Sequence, residues 1–538
     1  MVGQPPQRVG TARDALAPFA AFGQSDDSGR EYPDKLDFAL LRIAAVCGLA
    51  CIMGVLDSTV VAVAQRTFMD EFGSTQAIVS WTIAGYMLAL ATVNPVTGWA
   101  ADRFGTKQPF IGSVALFTLG SLLCAVAPNI WLLILFRVVQ GIGGGMLIPL
   151  AFTIMARESG PQRVGRLMAL GGIPIILAPI AGPILGGWLI DAYGWKWIFL
   201  VNLPIGLAVI ALAVFIFPKE RPSPSETLDV IGMLLLSPGV AILLCGISSI
   251  PSRHTIADRY VLAPVIIGLA LITAFVFHAR FHADHPLIDL NLFKNKVVTQ
   301  ANVTLLVFGA AFVGIGVLLP SYFQMVLQQT PMQSGMHMIP LALGAALTLP
   351  IAGAFMDRHG PGKIVLVGLP VIAVGLGIFT FGVATEARYM PTLLVGLLVT
   401  GLGIGCTTTP LSAAGIQALA PQQIARGTTL MAVNQQVSGS AGVALLAVIL
   451  TNQVNRNDKL IAANNVTSVQ HAAGQRGASL DPAKIPRPGL TPDLLTILSH
   501  NLTHAYTTVF TLSFILVLVT IVPAWFLPKT PHAKPVGD

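Results

Sequence analysis

Fourteen runs of apolar residues, each long enough to cross a bilayer as a helix, divide this chain of 538 residues. A hydrocarbon core about 30 Å thick offers no water to a bare peptide group, so each crossing must be a helix of roughly 20 residues. The first eight runs lie near Ile43 to Ala64, Thr75 to Val96, Phe110 to Ala127, Ile130 to Met155, Leu167 to Leu189, Trp197 to Ile216, Ile231 to Ile250 and Val261 to Val276. Six more follow near Val297 to Leu319, Met338 to Ala354, Ile364 to Val383, Thr392 to Ala413, Thr428 to Leu450 and Ala505 to Leu527. Composition agrees: 54% of residues are hydrophobic and 10% charged, against about 25% charged in soluble domains. A mean hydropathy of +0.75 excludes a soluble enzyme. The 53 glycines and 37 prolines suit membrane helices, whose neighbours satisfy the backbone groups such residues free.

The net charge of +7 is spread too thinly to form a nucleic-acid surface and reads instead as a topology signal. With the amino terminus inside, the inner loops carry thirteen Lys and Arg residues and the short outer loops five, which places both termini in the cytoplasm. Residues 1–37 are polar, lack the order of a signal peptide, and read as a disordered cytoplasmic tail; residues 528–538 form a second tail. Thr451 to Leu502 is the long outer segment, with room for a short surface helix around Pro492 to Ser499. The five cysteines, Cys47, Cys51, Cys124, Cys245 and Cys406, all fall in apolar stretches and read as inert packing residues.

An internal repeat organises the chain. After the second run comes GWAADRFGTK, Gly98 to Lys107, and after the tenth GAFMDRHGPGK, Gly353 to Lys363. Asp102 and Asp357 are 255 residues apart but eight runs apart, so two extra helices lie between two six-helix halves, and the seventh and eighth runs are the natural candidates. Domain boundaries follow: residues 38–217 form the first half, 218–280 the inserted pair and 281–527 the second half with its long outer loop 451–502. In each copy glycine permits a tight turn and close helix approach while Asp and Arg can clamp neighbouring helix ends, which makes Gly98, Asp102, Arg103, Gly105, Lys107, Asp357 and Arg358 candidate conformational-switch residues.

From about Phe38 to Leu527 the sequence resembles the major facilitator superfamily, specifically the fourteen-span drug:proton antiporter-2 family of EmrB/QacA-type multidrug exporters. The resemblance is carried by LDSTVVAVA (Leu56 to Ala64), WTIAGYMLALA (Trp81 to Ala91), the GWAADRFG loop, RVVQGIGGG (Arg137 to Gly145), APIAGPILGGW (Ala178 to Trp188) and WKWIFLVNLPIG (Trp195 to Gly206). It departs where Ala62 replaces the usual Asn, Gln65 and Arg66 replace Leu-Pro, and Gln436 stands where Arg is frequent. The resemblance implies an all-α membrane protein with the major facilitator fold, exporting lipophilic, often cationic compounds from a bacterial inner membrane by alternating access. It implies no cofactor, a proton gradient as energy source, lipophilic small molecules, protons and membrane lipids as partners, and an adaptor protein in the periplasm as a further one, docking at the 451–502 loop.

An ionisable residue at membrane depth costs several kcal/mol unless paired or hydrated, and so marks function by default. Asp57 is the only acidic residue well inside a run, fourteen residues past Ile43. At 1.5 Å per residue that is roughly 21 Å from the inner edge, while Arg137 enters from the other side to roughly 10 Å below the outer edge. The two charges therefore share a depth in a core of about 30 Å, which permits a pair between the first and fourth helices. Desolvation favours the protonated carboxyl and arginine the carboxylate, so Asp57 and Arg137 are candidates for proton coupling, with a drug cation competing for the carboxylate; a purely structural ion pair is the alternative. In the fifth run, Gly182 and Gly186 share a helix face and, with Pro179, Pro183 and Gly187, read as a gate. The resemblance implies that this stretch seals the outer side. Tyr86, Asn94, Phe308, Phe312, Tyr322, Phe323 and Gln324 are candidate substrate contacts, each of which could equally be packing.

Other motifs carry less. Gly141 to Gly145 follows no strand, and Gly362-Lys363 is followed by Ile364, so no ATP site is expected. His278, His282 and His285 have spacing that could hold a metal but read as a solvated loop, so no metal site is assigned. The sequence thus points to a proton-coupled multidrug antiporter and not an enzyme or nucleic-acid-binding protein. An exporter of one endogenous lipid or secondary metabolite is the main alternative, and a polytopic membrane enzyme the alternative from another class.

Overall fold

A computed structural model describes residues 36–160, 163–218, 228–253, 258–283, 286–455 and 494–530; the expected tails fall almost entirely outside these residues. In the first half, α1 is Phe38–Val63, α2 Trp81–Val93, α3 Thr97–Phe104, α4 Lys107–Ala125, α5 Ile130–Ser159, α6 Val164–Tyr193 and α7 Asn202–Ile216. The inserted pair is α8, Val230–Arg253, and α9, Arg259–Phe281. The second half comprises α10 Lys296–Met325, α11 Ile339–His359, α12 Pro361–Ala384, α13 Leu394–Gln417, α14 Ile424–Asn455 and α15 Leu494–Ala524.

Thirteen helices among the described residues are long and apolar enough to cross a membrane. The fourteenth expected crossing is present in two pieces: Asn94–Val96 forms a 3₁₀ turn between α2 and α3. Pro95 supplies the reason, because its ring nitrogen has no hydrogen to continue the α-helical ladder. Helix starts are fixed by polar caps at the ends of apolar runs. Asn129 accepts a hydrogen bond from Leu132 N at 2.9 Å to begin α5, and Asn295 accepts from Val297 N at 2.9 Å to begin α10. The surface helix expected around Pro492 to Ser499 is not a separate element: from Leu494 the chain is already the first turns of α15. An apolar run with no breaker between it and the crossing simply continues as helix.

A buried cluster centres on each half, and that of the second also takes in Ala156, Val164, Met168 and Ile180 of the first. Tyr86, Phe110, Phe117, Leu147 and Leu150 pack at the centre of the first; Phe308, Tyr322, Phe323, Phe379 and Phe510 belong to the second. The inserted α8 and α9 pack on each other, and α8 also lies against α2 and α14, with Leu236, Val240 and Leu244 meeting Ala91 and Leu430. The pair therefore spans the seam between the halves and adds nothing to either core. The glycine run of α5 does mechanical work: a Cβ on Gly141 would lie 2.5 Å from Tyr86 O, on Gly143 2.5 Å from Phe117 N, and on Gly145 2.7 Å from Leu90 O. The helix backbones of α2, α4 and α5 touch there, as small residues permit in a bilayer.

Gly143→Leu should therefore overpack the first half at a cost of roughly 1–3 kcal/mol or more and lower the thermal unfolding midpoint of detergent-solubilised protein by several degrees. Gly112→Leu on α4, where a Cβ meets nothing within 4 Å, should leave the midpoint in place.

Candidate functional site

Asp57 and Arg137 meet. Both side chains are fully buried, and Arg137 Nη1 donates to Asp57 Oδ2 at 2.5 Å. Two amides complete the shell around the carboxylate: Gln140 Nε2 donates to Asp57 Oδ1 at 2.8 Å and Asn202 Nδ2 donates to the same oxygen at 3.0 Å. Ser121 Oγ accepts from Gln140 Nε2 at 2.6 Å and from Asn202 Nδ2 at 3.2 Å, tying the two amides together. Arg137 is fixed from three more directions. Its Nε donates to Thr82 O at 3.0 Å, its Nη1 donates to Gln140 Oε1 at 2.6 Å, and its guanidinium lies 4.1 Å over the Tyr86 ring. A buried charge is tolerated only with such a set of partners.

The shell draws on α1, α2, α4, α5 and α7, all from the first half. Asp57 thus faces the interior of that half, and a drug between the halves cannot touch it in this conformation. In this conformation the buried carboxylate is out of reach of the direct competition by a cation that the sequence suggested. Gln140 and Asn202 were missed in the sequence. Gln140 lies one helical turn after Arg137, which was a usable signal; Asn202, far along the chain, offered none.

The repeated loops join the halves at the face that carries most of the loop Lys and Arg. Asp102 Oδ1 accepts from Arg157 Nη2 at 2.8 Å, and its Oδ2 lies 3.5 Å from Arg426 Nε on α14. Asp357, from the second half, caps α6 of the first: it accepts from Gly165 N at 2.9 Å, Arg166 N at 3.1 Å and Arg166 Nε at 3.0 Å. Gln417 Nε2 is a longer donor to Asp357, at 3.4 Å. The carboxylate at a helix N-terminus is favoured by the helix dipole as well as by the arginine. The glycines serve as expected. A Cβ on Gly98 would lie 3.1 Å from Thr429 Oγ1 and one on Gly353 2.5 Å from Gly165 O, so both mark close passages between halves, while Gly105 and Gly360 adopt φ of +77° and +85°. Thr153 Oγ1 and Thr428 Oγ1, 2.6 Å apart, add a further contact between α5 and α14. The halves meet at this basic face.

Three expected switch residues have other places. Lys107 donates to Val214 O at 2.7 Å and Phe217 O at 2.8 Å, so it holds the end of α7 within its own half. Arg103 and Arg358 take no part in the bonds just described. The arginines that reach the two aspartates are Arg157, Arg166 and Arg426; the sequence gives no hint of which arginine folds back onto which aspartate.

Two of the expected gate residues, Gly182 and Gly186, seat α6 on α1. A Cβ on Gly182 would overlap Thr59 Oγ1, and one on Gly186 would lie 3.0 Å from Val60 Cγ1, within three residues of Asp57. Gly187 differs, because a Cβ there meets nothing within 4 Å. Pro179 and Pro183 lie inside α6, which runs on unbroken through both. Among the candidate substrate contacts, Tyr86 is buried beneath Arg137, and Phe308, Tyr322 and Phe323 are buried in the second half's core, with Tyr322 5.9 Å from the Phe379 ring. These four are packed within the buried clusters of their halves. Asn94 is buried in the 3₁₀ turn, whereas Phe312 and Gln324 are half-buried. His278 pairs with Asp229 of α8's leading turn at 2.8 Å, and His285 lies outside the described residues. All five cysteines are free thiols.

The profile of the Major Facilitator Superfamily matches residues 45–443. A protein of Mycobacterium tuberculosis H37Rv named "Multidrug resistance protein B homolog" is 58% identical over 516 residues, 96% of this chain and 95% of that protein. The "Multidrug export protein EmrB" of Escherichia coli K12 is 29% identical over 419 residues, 77% of this chain and 81% of that protein. Among solved structures, the proton:xylose symporter XylE bound to 6-bromo-6-deoxy-D-glucose superposes with a TM-score of 0.55 at 14% identity, covering 91% of this chain and 97% of that one, a likeness of fold.

Two outcomes are expected. Gly182→Val should abolish export while the protein still reaches the membrane, whereas Gly187→Val should retain most of it, measured by dye efflux at matched protein levels; equal loss would remove the α1–α6 contact as the cause. In a background lacking native cysteines, Asp357→Asn and Arg426→Ala should each raise thiol labelling at Thr428→Cys several-fold by loosening the basic face. Arg358→Ala should not.

Proposed function

The chain belongs to the major facilitator superfamily, and on that premise we propose that it is a proton-coupled multidrug exporter that exchanges protons for lipophilic compounds by alternating access. The names of its relatives favour multidrug export, and membership of a transporter family favours transport over membrane enzymology. The observation that carries proton coupling is a titratable carboxylate, Asp57, buried at membrane depth beside an arginine that cannot give up its charge. The lysine- and arginine-rich face is assigned to the cytoplasm of a bacterial inner membrane, which makes this conformation the one closed to the cytoplasm.

The exchange works through packing. With Asp57 ionised, α1, α2, α5 and α7 are bound to one another through the ion pair and its amides. Protonation neutralises Asp57 and leaves Arg137 buried without its counter-charge; removing a buried partner outright costs on the order of 3–5 kcal/mol. Movement of these helices relieves that cost, and α6, seated on α1 at Gly182 and Gly186, moves with them. A drug drives the cycle by binding one arrangement more tightly than the other. Protons, lipophilic small molecules and membrane lipids are the ligands on this reading. An envelope adaptor would dock on the Thr451 to Leu502 segment, residues 456–493 of which lie outside the described structure.

The test is proton release when a lipophilic cation such as ethidium is added to the detergent-solubilised protein. Wild type should release protons and Asp57→Asn should release none, although binding of the dye persists. Equal release from both would remove Asp57 as the coupling site.

A further inference from the structure

The shell around Asp57 suits only one of its two protonation states. Every close polar group is a donor: Arg137 Nη1 to Oδ2, and Gln140 Nε2 and Asn202 Nδ2 to Oδ1. A carboxylate accepts all three, but a neutral carboxyl has an O–H that needs an acceptor. The ionisable groups facing it are Arg137 on α5, Tyr86 on α2 and Cys124 on α4. Among the described residues α7 brings only the amide of Asn202, and α6 contributes its glycines. Tyr86 and Cys124 already direct their hydrogens to Gly54 O and Gln140 Oε1.

Something in this shell must turn when the proton arrives. Arg137 has no acceptor atom. Gln140 has one, but Oε1 accepts from Arg137 Nη1 at 2.6 Å and from Cys124 Sγ at 3.7 Å, so turning it would break both bonds. Asn202 alone has an uncommitted acceptor: its Oδ1 is buried with no hydrogen-bond partner, while Nδ2 carries both of its bonds.

We infer that Asn202 is the positioning residue that registers the protonation of Asp57, its side-chain amide turning over so that Oδ1 accepts the hydrogen bond from the new carboxyl O–H. The proton is accounted for: Asp57 gains it on Oδ1, Asn202 withdraws Nδ2 and presents Oδ1 in its place, and Ser121, an acceptor for Asn202 Nδ2 before the turn, donates its own hydroxyl hydrogen to Oδ1 after it. Nδ2 gives up both of its bonds and takes the place Oδ1 leaves, so the turn costs hydrogen bonds that only the protonated carboxyl's need for an acceptor offsets. Asn202 is the first residue of α7, and the far end of the same helix is held by Lys107 in the repeated loop. One continuous helix therefore runs from the proton site to the loop region at the basic face.

This inference rests on Asp57 taking up a proton, and infrared difference spectra between acid and alkaline pH separate the two ideas. In full-length protein in lipid nanodiscs, a carboxyl C=O band should appear at acid pH and vanish in Asp57→Asn. In Asn202→Leu the same band should move to higher wavenumber, because the carboxyl loses the acceptor of its O–H. In Asn202→Thr, whose hydroxyl both donates and accepts, it should stay near the wild-type position. A band at the wild-type position in Asn202→Leu overturns the inference. Should that variant fail to fold, wild-type protein with side-chain-labelled asparagine serves: an asparagine C=O difference band that disappears in Asn202→Thr supports the turn, and a flat asparagine spectrum overturns it. Loss of any band sensitive to Asp57→Asn would instead sink proton coupling at Asp57, and this inference with it.

Discussion

One buried ion pair sets the terms for the first half of this protein. Asp57 and Arg137 are both fully buried, so each is tolerable only because the other is there and because Gln140 and Asn202, tied together by Ser121, donate to the carboxylate, although Arg137 Nη2 has no hydrogen-bond partner. The consequence is geometric. Five helices have to converge on one carboxylate, and the glycines at 141, 143 and 145 are what let α2, α4 and α5 come close enough to do so. On the proposed function, the gain of a single proton would unbalance this pair.

The basic face follows a different energetic logic. Its ion pairs lie nearer the surface: Arg426 and Asp102 are 17% and 10% exposed, a pair of the kind that contributes about 1 kcal/mol or less, whereas Arg166 is 27% exposed but its partner Asp357 only 3%. Contacts of that size, distributed over two loops, hold a conformation without trapping it. The internal repeat makes the arrangement nearly symmetric: Asp102 takes Arg426 as Asp357 takes Arg166, and the two arginines are 260 residues apart. So are Arg157 and Gln417, the third members of each clamp, where a charge in one copy is matched by an amide in the other. The first copy therefore holds an ion pair within its own half that the second replaces with a weak hydrogen bond.

Apolar run length gives the helix count because a bilayer leaves a spanning segment no other conformation, and the repeat of Gly98 to Lys107 in Gly353 to Lys363 is what leads to the expectation of two halves with a pair of helices between them. The same depth arithmetic brought Asp57 and Arg137 together, since counting residues along two helices of known rise is enough to compare their heights. It failed where a breaker acted locally: Pro95 splits the second crossing, and the apolar stretch after Leu494 runs straight into α15.

What the sequence by itself determined, then, was what depends on position along a helix axis: the spans, the repeat, and the matching depth that permits the two deep charges to pair. Only the tertiary structure decided what depends on rotation about those axes and on partners far apart in the chain. It turned Asp57 into its own half and away from the space between halves, recruited Asn202 from 145 residues away, put Arg426 and Arg166 on the switch aspartates in place of Arg103 and Arg358, and buried Tyr86 beneath Arg137. The physical reason is that a helix surrounded by lipid and other helices is apolar on every side, so its sequence carries no stripe to say which face is inward, and only the packed neighbours choose.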